Sequence, residues 1–162
     1  MHPGRRRPTM LLAAALASGA CGSSSDAPTA RDGEIAAEVG GFVVRDVWTR
    51  PTPPGSDEAA IYLTIENRDA PDDRFVGSVS DRCMAMHPHL TTIDDDGVAS
   101  MTDAGEDRLA VPAGGSLVMA PTALHVMCLG LTGPLEAGDT FGIELRFAEH
   151  EPVVVEVDVE QR

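Results

Sequence analysis

The chain has 162 residues and carries 12 Lys+Arg against 26 Asp+Glu, a formal net charge of −14. That length accommodates one ordinary domain once a targeting segment is removed. All the basic residues are Arg, and Arg5, Arg6 and Arg7 lie in the first seven positions, so residues 22–162 keep 9 positive against 26 negative charges, a net −17. So acidic a surface repels phosphate backbones and anionic headgroups, which excludes nucleic-acid binding and electrostatic docking to membranes and points to cations or basic proteins as partners. The composition is 43% hydrophobic but only 4% aromatic, leaving the core to Val, Leu, Ile, Ala and seven Met.

In chain order, Arg5-Arg6-Arg7 precedes the apolar run Met10–Ala17 and then Ser18-Gly19-Ala20-Cys21. A basic start, a short apolar stretch and a small-residue cleavage site form a secretory signal peptide over residues 1–21. The apolar run is less than half of the roughly 20 residues that span a bilayer, so the mature chain is expected to be exported, periplasmic or otherwise extracytoplasmic. Cys21, flanked by Gly19-Ala20 and Gly22-Ser23, resembles a bacterial lipobox, in which the Cys becomes the lipid-bearing first residue; Ser18 departs from it, since Leu usually sits three before the Cys. Residues 22–34, rich in Ser, Asp, Ala and Gly, suit a flexible spacer between a lipid anchor and a folded domain.

From residue 35 to 162 short apolar runs alternate with Gly, Pro, Asn and Asp, and no helical stripe persists for three turns, which is the pattern of an all-β sandwich or barrel. Strands are expected at Phe42–Thr49, Ala59–Asn67, Phe75–Val79, Cys83–His89, Gly97–Thr102, Asp107–Val111, Ser116–Ala120, His125–Leu131, Thr140–Phe147 and Val153–Val159. The last alternates Val153, Val155, Val157 and Val159 against Glu156, Asp158 and Glu160, a period of two with one wet face. Asp94-Asp95-Asp96-Gly97 reads as a solvated hairpin turn, because the remaining ligand positions of a calcium loop are missing.

The residues with chemistry cluster in one half of the domain. Cys83-Met84-Ala85-Met86-His87-Pro88-His89 is followed by Met101, Met119 and His125-Val126-Met127-Cys128. Residues two apart on a strand share a face, which groups His87 with His89 and His125 with Met127 while turning Cys128 the other way. Imidazole with thioether suits Cu(I), suits neither Mg²⁺ nor Ca²⁺, and lacks the thiolate or carboxylate that zinc recruits. Met84, Met86 and Met119 are expected to be core filler, and His150 an ordinary surface or hydrogen-bonded residue.

The stretch His87…Met101…His125-Val126-Met127, with Pro112-Ala-Gly-Gly115 and Gly130-Leu131 around it, resembles the periplasmic copper chaperones of the PCu(A)C family. Val47-Trp48-Thr49-Arg50-Pro51 and Ala60–Asn67 resemble it too. The resemblance implies a cupredoxin-like β-sandwich and a Cu(I) site made of a His, a Met and a His-x-Met pair. It also implies a role in passing copper toward the CuA centre carried by a subunit of cytochrome c oxidase. His125, Met127 and Met101 match the family's pattern directly. The first His is either His87, which the strand alternation favours, or His89, which the spacing to Met101 favours.

Cys83 and Cys128 open an alternative, a blue-copper electron carrier with ligands Cys128, His125, His87 and Met127. Against it, Cys128 neighbours Met127 and faces away from it on a strand. An oxidising compartment would instead favour a Cys83–Cys128 disulfide, two buried free thiols being the other possibility. No Ser-His-Asp order, phosphate loop or activated Cys context nominates a catalytic group, so the expected activity is copper carriage, with a metal-free β-sandwich lipoprotein as the third reading.

Overall fold

The computed structural model describes residues 33–162. The expected signal segment, Cys21 and nearly all of the spacer lie outside the described residues. Eleven strands run β1 Ile35–Val39, β2 Phe42–Thr49, β3 Glu58–Asn67, β4 Asp73–Val79, β5 Cys83–Ile93, β6 Ala99–Asp103, β7 Ala110–Val111, β8 Ser116–Met119, β9 Leu124–Leu131, β10 Thr140–Phe147 and β11 Val153–Val159. The expected all-β sandwich is what the chain forms. The strand order is β6-β5-β9-β3-β2-β11-β10-β4-β7, with β1 added to β2 and β8 to β3.

The core follows from period-two patterning. On β11 Val153, Val155, Val157 and Val159 are buried while Val154, Glu156 and Asp158 are exposed. Its partner β10 turns Phe141, Ile143, Leu145 and Phe147 inward, with Phe141 opposite Val157 and Ile143 opposite Val155. These side chains join Ile61, Leu63, Ile65, Leu117 and Val126 in one buried cluster. Full burial of each such side chain stabilises the fold by about 1.5–3 kcal/mol, so few aromatics are needed.

Three expectations are corrected. β1 was not expected, since Ile35-Ala-Ala-Glu-Val39 is mostly exposed and is held by pairing with β2 instead of by an apolar face. The strand expected at Asp107–Val111 shrinks to Ala110–Val111, because Glu106–Arg108 coils into a 3₁₀ turn. Met84 is 86% exposed, although Met86 and Met119 are buried as expected. Cys83 and Met86, three apart, are both buried, so strict alternation breaks between them and Met84 is turned out. There β5 faces Gly130, whose φ of 63° suits glycine and whose added Cβ would come within 2.8 Å of Met84 Cβ.

His150 is anchored, as expected of a hydrogen-bonded residue. Its ring stacks on Phe42 at 4.4 Å and its backbone N–H donates to Asp73 Oδ2 at 2.8 Å.

Candidate metal centre

β9 lies between β5 and β3, and β6 closes the edge beyond β5. The β5–β9 register sets His87 opposite Met127 and His89 opposite His125. The β5–β6 register sets Thr91 opposite Met101 and His89 opposite Asp103. Directly opposed residues in an antiparallel ladder share a face. His87, His89, Met101, His125 and Met127 are therefore brought to one face of a three-stranded segment, joined there by Asp103. The hairpin that makes this register possible is the expected Asp94–Gly97 turn, where Asp94 Oδ1 accepts the N–H groups of Asp96 and Val98.

The face is graded from buried to wet. His125 is 2% exposed, the side chain of His89 is 19% exposed, and Met101 at the sheet edge is 49% exposed. The His89 and His125 rings lie 6.2 Å apart, edge to face. Behind His125 the face continues through Tyr62, 6.3 Å away, to Trp48, which Arg162 covers at 4.8 Å. Burial pushes the Tyr62 phenol above its ordinary value, with the Arg50 charge working the other way. A recess of about 410 Å³ lined by His87, His89, Asp103 and Ala104 opens beside the rings toward solvent.

Each imidazole meets a partner at one nitrogen. His125 Nδ1 lies 3.0 Å from the carbonyl oxygen of Ala123 and donates to it, since a carbonyl can only accept. Ala123 stands in the tight turn that links β8 to β9, where Thr122 takes a φ of 62°, costly for a β-branched residue, and the same carbonyl accepts the Thr91 N–H. His89 Nε2 lies 3.0 Å from Asp103 Oδ1. The other nitrogens, His89 Nδ1 and His125 Nε2, are shielded from solvent and have no hydrogen-bonding partner. A buried polar atom left unsatisfied costs about 1–3 kcal/mol, and these two stand on neighbouring rings of one face. The two Arg nitrogens that share this property, on Arg45 and Arg82, lie elsewhere, and Arg45 Nε is within 2.9 Å of Glu66 Oε1.

Among the described residues no three His, Cys, Asp or Glu side chains gather closely enough to hold an ion. A metal on this face would have to take thioether donors, and Met127 and Met101 are the thioethers at hand. Cys128 is fully buried, points into the core and is joined to Cys83 in a disulfide with Cα atoms 5.5 Å apart. It has no thiolate to give, which removes the blue-copper ligand set. The disulfide instead ties together the two strands that carry the histidines.

Sequence reasoning missed Asp103 and the Ala123 carbonyl. Asp103 is two residues beyond Met101 and shares its face, but the expected strand stopped at Thr102. The carbonyl has no sequence signal, because only the turn geometry aims it.

In fold the chain is that of a PCuAC domain. It superposes on the copper-bound PCuAC domain of PmoF2 with a TM-score of 0.63 at 21% identity, over 78% of this chain and 97% of that one. It matches the solution structure of CuI-DR1885 from Deinococcus radiodurans with a TM-score of 0.56 at 27% identity, over 72% of this chain and 76% of that one. Residues 42–159 match the family described as "Putative lipoprotein LpqE-like". A curated relative, "Putative lipoprotein Lxx21020" of Leifsonia xyli subsp. xyli, is 30% identical over 122 residues, 75% of this chain and 71% of that protein. The chain belongs to the LpqE-like family, a PCuAC-like family, and the resemblance read from its sequence holds.

Proposed function

We propose that this protein is an exported Cu(I) carrier that holds one ion per chain between β5, β6 and β9, through His89 Nδ1, His125 Nε2 and the sulfurs of Met127 and Met101. The observation that carries this reading is the pair of shielded, partnerless imidazole nitrogens on cross-strand neighbours, on the face that also bears both thioethers. His87 is the weaker candidate for the first histidine, since it is exposed and sits opposite Met127 instead of His125. The copper-bound and CuI forms of structurally similar proteins support the choice of metal.

The site is partly open, as delivery requires. Two thioethers and two imidazoles favour Cu(I) over Cu(II), the exposed Met101 edge lets an incoming ligand displace a donor, and the strongly acidic surface steers cations inward. Imidazole binds metal only when neutral, so acidification should weaken binding. The acceptor we favour is the CuA-bearing subunit of a respiratory oxidase, with buffering of extracytoplasmic copper as the competing use of the same site. Cys21 is the proposed lipid attachment point, in keeping with a family described as lipoproteins. The test is Cu(I) competition against a chromophoric chelator, followed by transfer from the loaded protein to an apo oxidase subunit. Stoichiometric Cu(I) retention by the wild type with transfer supports the whole reading; retention without transfer supports buffering; no retention ends the copper assignment.

A further inference from the structure

Asp103 has no place in the ligand set, yet its carboxylate stands against the outer nitrogen of His89. Its Oδ1 is 3.0 Å from His89 Nε2, and the two residues are cross-strand partners, so the β5–β6 ladder holds their side chains next to each other. The contact is an ion-pair approach, and a carboxylate that close favours the ring proton on Nε2 and leaves the lone pair on Nδ1. Nδ1 is the shielded atom without a partner, on the ring next to His125. His125 is held in the opposite sense, Nδ1 on a carbonyl and Nε2 free.

We propose that Asp103 is a positioning residue: it locks the His89 ring with Nε2–H outward and Nδ1 turned to the site, so that the two histidines present unlike nitrogens to one ion. Its consequence for copper rests on the Cu(I) reading above, whereas the lock itself is a property of the metal-free protein. The division of labour is physical. The His125 ring is buried and its acceptor is backbone, so the fold itself sets its orientation. His89 stands nearer the wet edge, its side chain 19% exposed, and the Asp103 carboxylate is what sets the sense of its ring. The Asp103 side chain is 90% exposed, so it adds little to overall stability and its removal should leave the fold intact.

The experiment uses ¹⁵N-resolved ring correlations of the histidines in the metal-free chain, then with Cu(I), which is diamagnetic and leaves the spectra readable. Wild type and D103N, which keeps an acceptor oxygen, should show His89 in the single Nε2–H form; D103A should show exchange between ring forms. On adding Cu(I), the His89 resonance that moves most should be Nδ1 and the His125 resonance Nε2. D103A should lose about tenfold in Cu(I) affinity, with D103N recovering most of it. A metal-free D103A spectrum identical to wild type overturns the lock, as does Cu(I) binding through His89 Nε2 in the wild type. If the wild type retains no Cu(I) but D103A still releases the His89 ring, the lock stands and the copper reading falls.

Discussion

His89 and His125 face each other across the β5–β9 ladder, and each ring keeps one nitrogen shielded from water with nothing to bond. Neither partner alone is unusual. Two such vacant lone pairs on adjacent strands, with one thioether two residues along β9 and another on β6 beside Thr91, separate this face from the rest of the molecule.

The pairing distinguishes the two candidate first histidines. H89A should lose at least tenfold in Cu(I) affinity, while H87A should stay within about threefold of wild type, since mutation of directly supporting residues around metals typically costs 10–100-fold. Chelator competition at fixed pH checks both. The reverse ranking would put His87 in the site.

The double variant H125A/M127A should bind no Cu(I). His125 is buried, so a loss of stability of about 1–3 kcal/mol is expected as well. Circular dichroism at the assay temperature separates loss of the ligands from loss of the fold, and a folded double variant that still takes up one Cu(I) per chain would refute the ligand set.

The Cys83–Cys128 bond closes a loop with a sequence separation of 45. On the chain-entropy account C83S/C128S should be destabilised by about 4 kcal/mol, read as a lower urea midpoint. Because the bond fastens β5 to β9, the loss should also show as faster amide exchange on the strands that carry His89 and His125. An unchanged midpoint would mean that the cross-link contributes nothing to the folded state.

Tyr62 is the sole tyrosine, so phenolate absorbance in an alkaline titration reports it alone. It should ionise above its ordinary value of 10.0, because burial disfavours the phenolate more than Arg50 assists it. The group is neutral in both states below the unfolded value. As the pH rises past that value the unfolded chain ionises first, so the stability held by burying the neutral phenol is lost between the unfolded and folded values. R50Q should delay ionisation further; an earlier ionisation would contradict the assigned charge effect.

Much of this molecule is legible in its residues. Phe42–Thr49, Thr140–Phe147 and Val153–Val159 form strands with the expected limits, since a period of two with one apolar face leaves a buried strand little freedom to slip. β1 escaped notice because an exposed edge strand carries no such pattern, and Met84 was misplaced because alternation fails where β5 meets Gly130.

The donor types were likewise legible, as residue identity fixes chemistry: imidazole and thioether without free thiolate suit a soft cation. The same period that grouped His87 with His89 could not choose between them. His89 is favoured in the proposed site because the β5–β9 register sets it against His125, with Asp103 and the Ala123 carbonyl against the two rings. The sequence by itself determined which donor types and strands were available, through local pattern. Only the tertiary structure decided which nitrogens are left vacant, because that depends on the Asp103 carboxylate of β6 and the Ala123 carbonyl of the β8–β9 turn, which folding brings to the histidines.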